Sequence, residues 1–227
     1  MRSGKGEAVD ISKVRADIEG AVEAEERDGG FRTIVLEAVR ERMPSKSAAE
    51  AASIAGTAVS VVTRFVREAP DVVETTLRAA EEAGIKDQVA PIFETAIQYL
   101  DEEFDFIPDS VGLAGVIDDA YLIYGLMQEI SERHRALSGK TLLPSMTFLV
   151  MQDIKRLIGD PTATRLEMAI VAFARRQNVK DTIEQIARRI GGEGLAMEMP
   201  STAKMPGERS PLADVPDLEL GRRWSSA

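Results

Sequence analysis

Apolar residues recur along this chain at spacings of three and four, the period of a helix with one buried face, and almost nowhere alternate as a half-buried strand would. The pattern predicts helices near 8–27, 31–43, 48–68, 71–83, 87–100, 114–137, 145–158, 161–177 and 181–190. Their starts are marked chemically. "SAAE" at 47–50 is a capping box, in which Ser47 accepts the N3 backbone N–H while Glu50 reaches back to the cap. "DVVE" at 71–74 and "DTIE" at 181–184 repeat the logic with aspartate, and "DP" at 160–161 sets a cap residue before a proline at N1. Gly84, Gly139, Gly159, Asn178 and Gly191 follow the last periodic apolar residues and read as stops. The expected fold is all-α: a compact bundle of about eight or nine helices, one domain over 1–190, followed by a flexible tail over 191–227.

Two segments depart from simple amphipathicity. Residues 48–60, "AAEAASIAGTAVS", are so rich in Ala, Gly and Ser that a neighbouring helix can approach closely. Residues 111–127 are apolar around nearly the whole circumference except for Asp118 and Asp119. This is the nearest approach to a membrane span. Two aspartates in lipid would cost about 2.5–3.5 kcal/mol each, which makes a fully buried protein helix the cheaper reading. In 161–177, Leu166, Ile170, Phe173 and Ala174 share one stripe, read as core.

Composition adds limits. The 227 residues are 44% hydrophobic and 29% charged, the balance of a folded soluble protein. With no cysteine there is no disulfide framework, thiolate metal site or cysteine nucleophile, in keeping with a cytoplasmic protein. The N-terminal residues lack the apolar core of a signal peptide, which argues against Sec-type export. The net charge of −10 belongs to residues 1–110, with 13 Lys/Arg against 23 Asp/Glu, whereas 111–227 balance at 15 each. An acidic half repels phosphate, so nucleic acid is not an expected partner. Arg165, Arg175, Arg176, Lys180, Arg188 and Arg189 fall on alternating faces and read as solvated surface.

The sole histidine, His134, lies near a helix C-terminus, and a surface position is expected for it. With no second histidine there is neither a triad nor a His-based zinc site, and no P-loop or dinucleotide fingerprint is present. The tail ends in "PLADVPDLELGRRW", with the only tryptophan. Leu218, Leu220, Arg222, Arg223 and Trp224 form a candidate partner-binding segment, which could dock on this fold or on another protein.

The segment "DFIPDSVGLAGVIDDAYLI" carries the strongest motif: Asp105, Pro108, Asp109, Gly115 and the Asp118–Asp119 pair. It resembles the core pattern of the YkvA-like family, bacterial helical domains of unknown function, over about residues 97–130. The family-like core then lies near 85–137. The resemblance implies no established reaction. It suggests peripheral membrane contact, because many members of that family look membrane-associated. The residues admit two accounts. In the structural one, Pro108 ends a helix, Gly112 and Gly115 permit tight backbone turns, and at least one aspartate faces inward. A buried carboxylate then needs donors, from the 105–110 backbone or from an arginine such as Arg156 or Arg165. In the functional one, Asp105, Asp109, Asp118 and Asp119 gather around Mg²⁺ or Ca²⁺, as in a metal-assisted hydrolase. Adjacent helical residues point about 100° apart, so Asp118 and Asp119 are poorly placed to chelate one ion together, and the structural account is preferred. The expected function is a non-enzymatic binding, adaptor or regulatory module engaging another protein.

Overall fold

The computed structural model describes residues 11–102, 107, 109–143, 148–175, 177–196 and 210–224. These contain helices and no strand. The helices are α1 (Ser12–Asp28), α2 (Gly30–Arg42), α3 (Ala48–Glu82), α4 (Lys86–Glu102), α5 (Ile117–Ser138), α6 (Phe148–Ile158), α7 (Thr162–Ala174), α8 (Gln177–Ile190) and α9 (Leu220–Trp224). A 3-10 segment, Asp109–Val116, leads into α5. The fold is an all-α bundle, as the periodicity predicts.

α5 is the centre. Eight consecutive residues, Ala120 to Met127, are buried, because α3, α7 and α8 pack around it. Tyr124 stacks on Phe65 of α3 with ring centroids 4.6 Å apart. At Gly125 the side chain of Ile170 on α7 occupies the space that a Cβ would take. On α3, Ala51, Ala55, Ala58 and Val62 are buried at helical spacing, so the small residues do serve close internal packing.

Several local expectations are met. Ser47 Oγ accepts the Glu50 N–H at 3.3 Å, and Glu50 Oε2 accepts the Ser47 N–H at 2.9 Å. These bonds, with nearby Lys46, hold the Glu50 carboxyl down at about 2. Gly84, Gly139, Gly159 and Gly191 all take positive φ. One cap escaped the sequence reading. The buried Glu25 carboxylate accepts the N–H groups of Phe31 (2.7 Å) and Arg32 (3.0 Å), closing the N-terminus of α2 across the left-handed Gly29.

Three expectations need correction. Pro70 does not divide 48–68 from 71–83, and α3 runs unbroken for 35 residues. The lost backbone bond and ring clash cost about 3 kcal/mol or more, but the buried stripe Val66, Ala69, Pro70, Val73 continues through the proline. Asp71, released from capping, pairs with Arg15 at 2.8 Å. Asn178 does not stop a helix, nor does Asp181 start one, because α8 begins at Gln177 so that Val179 joins Ile183 and Ile186 in the core. His134 is fully buried: the chain after Gly139 folds back, burying Leu142 and Leu143, and brings the Lys140 carbonyl to 2.9 Å from Nδ1. A carbonyl only accepts, so Nδ1 carries the proton.

Two described parts of the C-terminal region pack against the bundle. Leu195 is buried, and its N–H donates to the Leu142 carbonyl at 2.6 Å. Residues 210–224 lie against α2, α6 and α7 as an ordered strap, with Leu212, Val215, Leu218, Leu220 and Trp224 buried. Among the described residues α3 is the helix long and apolar enough to cross a membrane, with 33% of its most apolar window buried. That shifts the most span-like segment from 111–127 to Ala48–Glu82.

Candidate functional site

The motif at 105–119 contributes one well-defined contact. Asp118 is 2% exposed, and its Oδ2 accepts the backbone N–H of Ile107 at 3.1 Å. The donor therefore comes from the 105–110 backbone, as one structural alternative foresaw. Gly112 takes φ 63° and ψ −125°, a conformation open essentially to glycine alone, and the chain turns there to bring Ile107 back over the start of α5. Nothing lies within 4 Å of a Cβ built at Gly112, so the backbone conformation rather than space demands glycine. Gly115 is buried in the same segment. Asp119 is half-buried on the adjoining face of α5, and Asp109 opens the 3-10 segment. Asp105 and Pro108 lie outside the described residues. Among the described residues no three Asp, Glu or His groups gather in a set that could hold a metal ion. The contact that the structure gives Asp118 is a clasp between the 3-10 segment and α5.

A second site, absent from the sequence reading, is built where the strap meets the bundle. Its polar centre is Asp153 on α6, 1% exposed. The Asp153 carboxylate accepts from the Ser210 hydroxyl and from the Arg156 guanidinium. Burial pushes its pKa upward against the lowering effect of Arg156 and of the Leu212 N–H. Arg156, suggested above as a partner for Asp118, thus serves a different buried carboxylate. Its Nη1 also donates to the Ala213 carbonyl at 3.1 Å, and its own carbonyl accepts the Leu218 N–H at 3.2 Å. One arginine therefore addresses the strap from side chain and backbone together.

Farther along, the strap reads two close notches. A Cβ on Gly159 would stand 2.5 Å from Glu219 Cα, and a Cβ on Gly221 would stand 2.6 Å from Thr162 Oγ1 and 2.9 Å from the Ile158 carbonyl. Glu219 itself has φ 48°, and its N–H is accepted by Asp217 Oδ1 at 2.9 Å, a side-chain-supported turn. Arg42 pairs with Glu219 at 2.6 Å, Arg223 pairs with Glu41, and Arg222 Nε donates to the Asp160 carbonyl at 3.3 Å. Trp224 ends the strap with its ring 6.5 Å from that of Phe31. Its buried indole N–H has no acceptor among the described residues. Of the candidate partner-binding residues, Leu218, Leu220 and Trp224 are thus seated in this chain's own groove, while Arg222 and Arg223 lie at its rim.

Two further features lie away from the strap. An open groove of about 860 Å³ lies between the α1–α2 turn and α3. Its charges neutralise one another, Arg64 with Glu68 (3.3 Å) and Arg67 with Glu26 (3.8 Å), so it offers no single-sign cradle. The phenol of Tyr121 on α5 is pushed upward by burial, with the charge and hydrogen bond of Glu167 adding to the effect. Glu167 is held in turn by Lys155 at 2.6 Å. A phenol raised in this way stays protonated and serves as a donor. Comparison with known proteins gives no match to a family model, a curated protein or a solved structure.

Proposed function

We propose that this chain is a non-enzymatic regulatory binding module, in which the groove between α2, α6 and α7 recognises an extended apolar segment and the strap 210–224 is its intramolecular ligand. The supporting observation is the make-up of that contact. Five apolar side chains are seated, yet the polar links around them consist of groups that water satisfies equally well once the strap lifts. Asp153, desolvated beneath the strap, regains solvent on release, and the Trp224 indole N–H gains an acceptor. The arrangement matches segment-in-groove recognition, where apolar pockets give affinity and flanking charges give register.

Hydrogen exchange on the intact chain tests this. The amides of Leu212, Leu218 and the rest of the strap are expected to exchange well before those of α5, in a local opening distinct from global unfolding. Strap amides that exchange only together with α5 would make the segment a fixed part of the core and end the proposal.

A further inference from the structure

We infer that the outer face of α3, between α2 and the start of the strap, is a binding site for a small hydroxylated organic anion. The site goes beyond the reading of the strap as a ligand and does not require the strap to detach.

The groove between the α1–α2 turn and α3 is charge-neutral, but its neighbour toward the strap is not. That second recess has a volume of about 660 Å³ and shares Arg32 and Arg64 with the first. Among the described residues, no Asp or Glu lines it. Residues 1–110 hold 23 Asp/Glu against 13 Lys/Arg, so an acid-free recess with two arginines stands against the charge of its own half of the chain. Arg64 shares its charge with Glu68, a residue of the first groove, at 3.3 Å. Arg32 makes no ion pair among the described residues. Its Nη2 stands 3.9 Å from the position of a Cβ on Gly56, so the free guanidinium lies against α3. A guanidinium takes a carboxylate or a phosphate through two parallel N–H bonds.

The hydroxyls of the lining bear on what else the ligand carries. Thr57 Oγ1 donates to the Ser53 carbonyl, and Ser60 Oγ to the Gly56 carbonyl, both at 3.0 Å. Their protons are spent within α3, which leaves oxygen lone pairs to accept from ligand O–H groups. The Ser53 hydroxyl has no partner among the described residues and serves either way. Val59, Val61 and Pro211 add an apolar margin. An anion that also bears hydroxyl groups, a polyol phosphate or a sugar acid, meets these demands together. A nucleic-acid backbone does not, because the acidic surface around the recess repels a long polyanion. Pro211 is the second residue of the strap, between Ser210 on Asp153 and the buried Leu212, so the recess is complete when the strap is seated.

Calorimetric titration of the full chain tests the site. Sorbitol 6-phosphate and gluconate are the probes, which separates a phosphate from a carboxylate head; sorbitol and inorganic phosphate supply each half of the chemistry alone. Saturable binding of at least one of the two organic anions is expected, with weaker binding of inorganic phosphate and none of sorbitol. Arg32→Gln should weaken that binding by about tenfold or more, the worth of a charge-assisted hydrogen bond, with the melting temperature unchanged because Arg32 is exposed. Arg165→Gln, at an exposed cation on α7, should leave the affinity as it was. No saturable binding of either organic anion overturns the inference, and so does equal affinity in the parent and Arg32→Gln. Inorganic phosphate binding as tightly as sorbitol 6-phosphate marks an adventitious ion only and overturns it too. Hydrogen exchange of the strap decides the strap reading separately, since the titration can fail with a strap that opens and succeed with one that stays shut.

Discussion

Gly221→Val is the most direct probe of how the strap is held. Without a side chain, position 221 of α9 rests in the corner where α6 turns into α7. The Cβ that valine adds would lie 2.6 Å from Thr162 Oγ1, 2.8 Å from Thr162 Cβ and 2.9 Å from the Ile158 carbonyl. None of these is the far end of a flexible side chain, since Thr162 is short and buried and the third is backbone. Relief must come from the strap lifting. Overpacking of this kind costs about 1–3 kcal/mol, which is roughly a 5- to 150-fold fall in the ratio of seated to released strap. Helix propensity returns only a few tenths of a kcal/mol, about the gap between glycine and valine. The single tryptophan is three residues away on the same short helix, so intrinsic fluorescence reports seating without labels. The expected result is emission at longer wavelength and stronger acrylamide quenching, with helicity close to that of the parent because only the five residues of α9 are at stake. Unchanged emission and quenching in a folded Gly221→Val protein would refute the notch argument.

The remaining expectations concern carboxylates. Asp118→Ala removes the acceptor for the Ile107 N–H and should destabilise the fold by about 1–3 kcal/mol, read as a lower melting temperature; Asp118→Asn keeps an acceptor oxygen and should cost less. If Asp118 instead served a divalent ion, Mg²⁺ or Ca²⁺ would raise the melting temperature of the parent and not that of Asp118→Asn. Burial in the fold raises the Asp153 pKa above its ordinary 3.8, so the folded chain favours the protonated form. Stability should rise as pH falls through the raised value towards 3.8, and Asp153→Asn should flatten that response in thermal melting. Glu50 has the opposite sign. Its pKa is depressed from 4.5 to about 2, so the stabilisation it gives the start of α3 is full above 4.5 and is lost as pH falls towards 2. Ser47→Ala should cost about 1 kcal/mol at neutral pH, measured by denaturant unfolding, and should shrink that acid-sensitive component without removing it, because the residue 47 N–H and Lys46 still hold the carboxylate.

Local chemistry was well written in the sequence. The Ser47–Glu50 box, the glycine stops, the close-packing face of α3 and the inward turn of Asp118 all depend on neighbours within a dozen residues. What escaped depends on which surfaces the assembled bundle covers, whether the covering residues are near or far along the chain. Pro70 looked like a boundary, since nothing local shows that Val66 and Val73 share one buried face across it. His134 looked solvated until the 140–143 return covered it. Asp153 reads as an ordinary polar residue of an amphipathic helix, paired locally with Arg156, and Ser210, 57 residues on, links it to the strap. The strap's apolar residues follow the contour of a groove rather than a helix or strand period, so its composition read as a tail. The available signal was the cluster of four aliphatic residues and the sole tryptophan in a segment otherwise poor in reasons to carry them.

The meeting of Phe31 with Trp224 ties α2, made early, to a segment made almost two hundred residues later. During synthesis the outer wall of α2 and the corner between α6 and α7 stay open to solvent until residues 210–224 have emerged. The body can form its helices and its α5-centred core before then, but that apolar wall is closed last. A chain broken off after the bundle is complete would therefore present a ready-made adhesive face, which makes the strap a cover that guards the bundle against association.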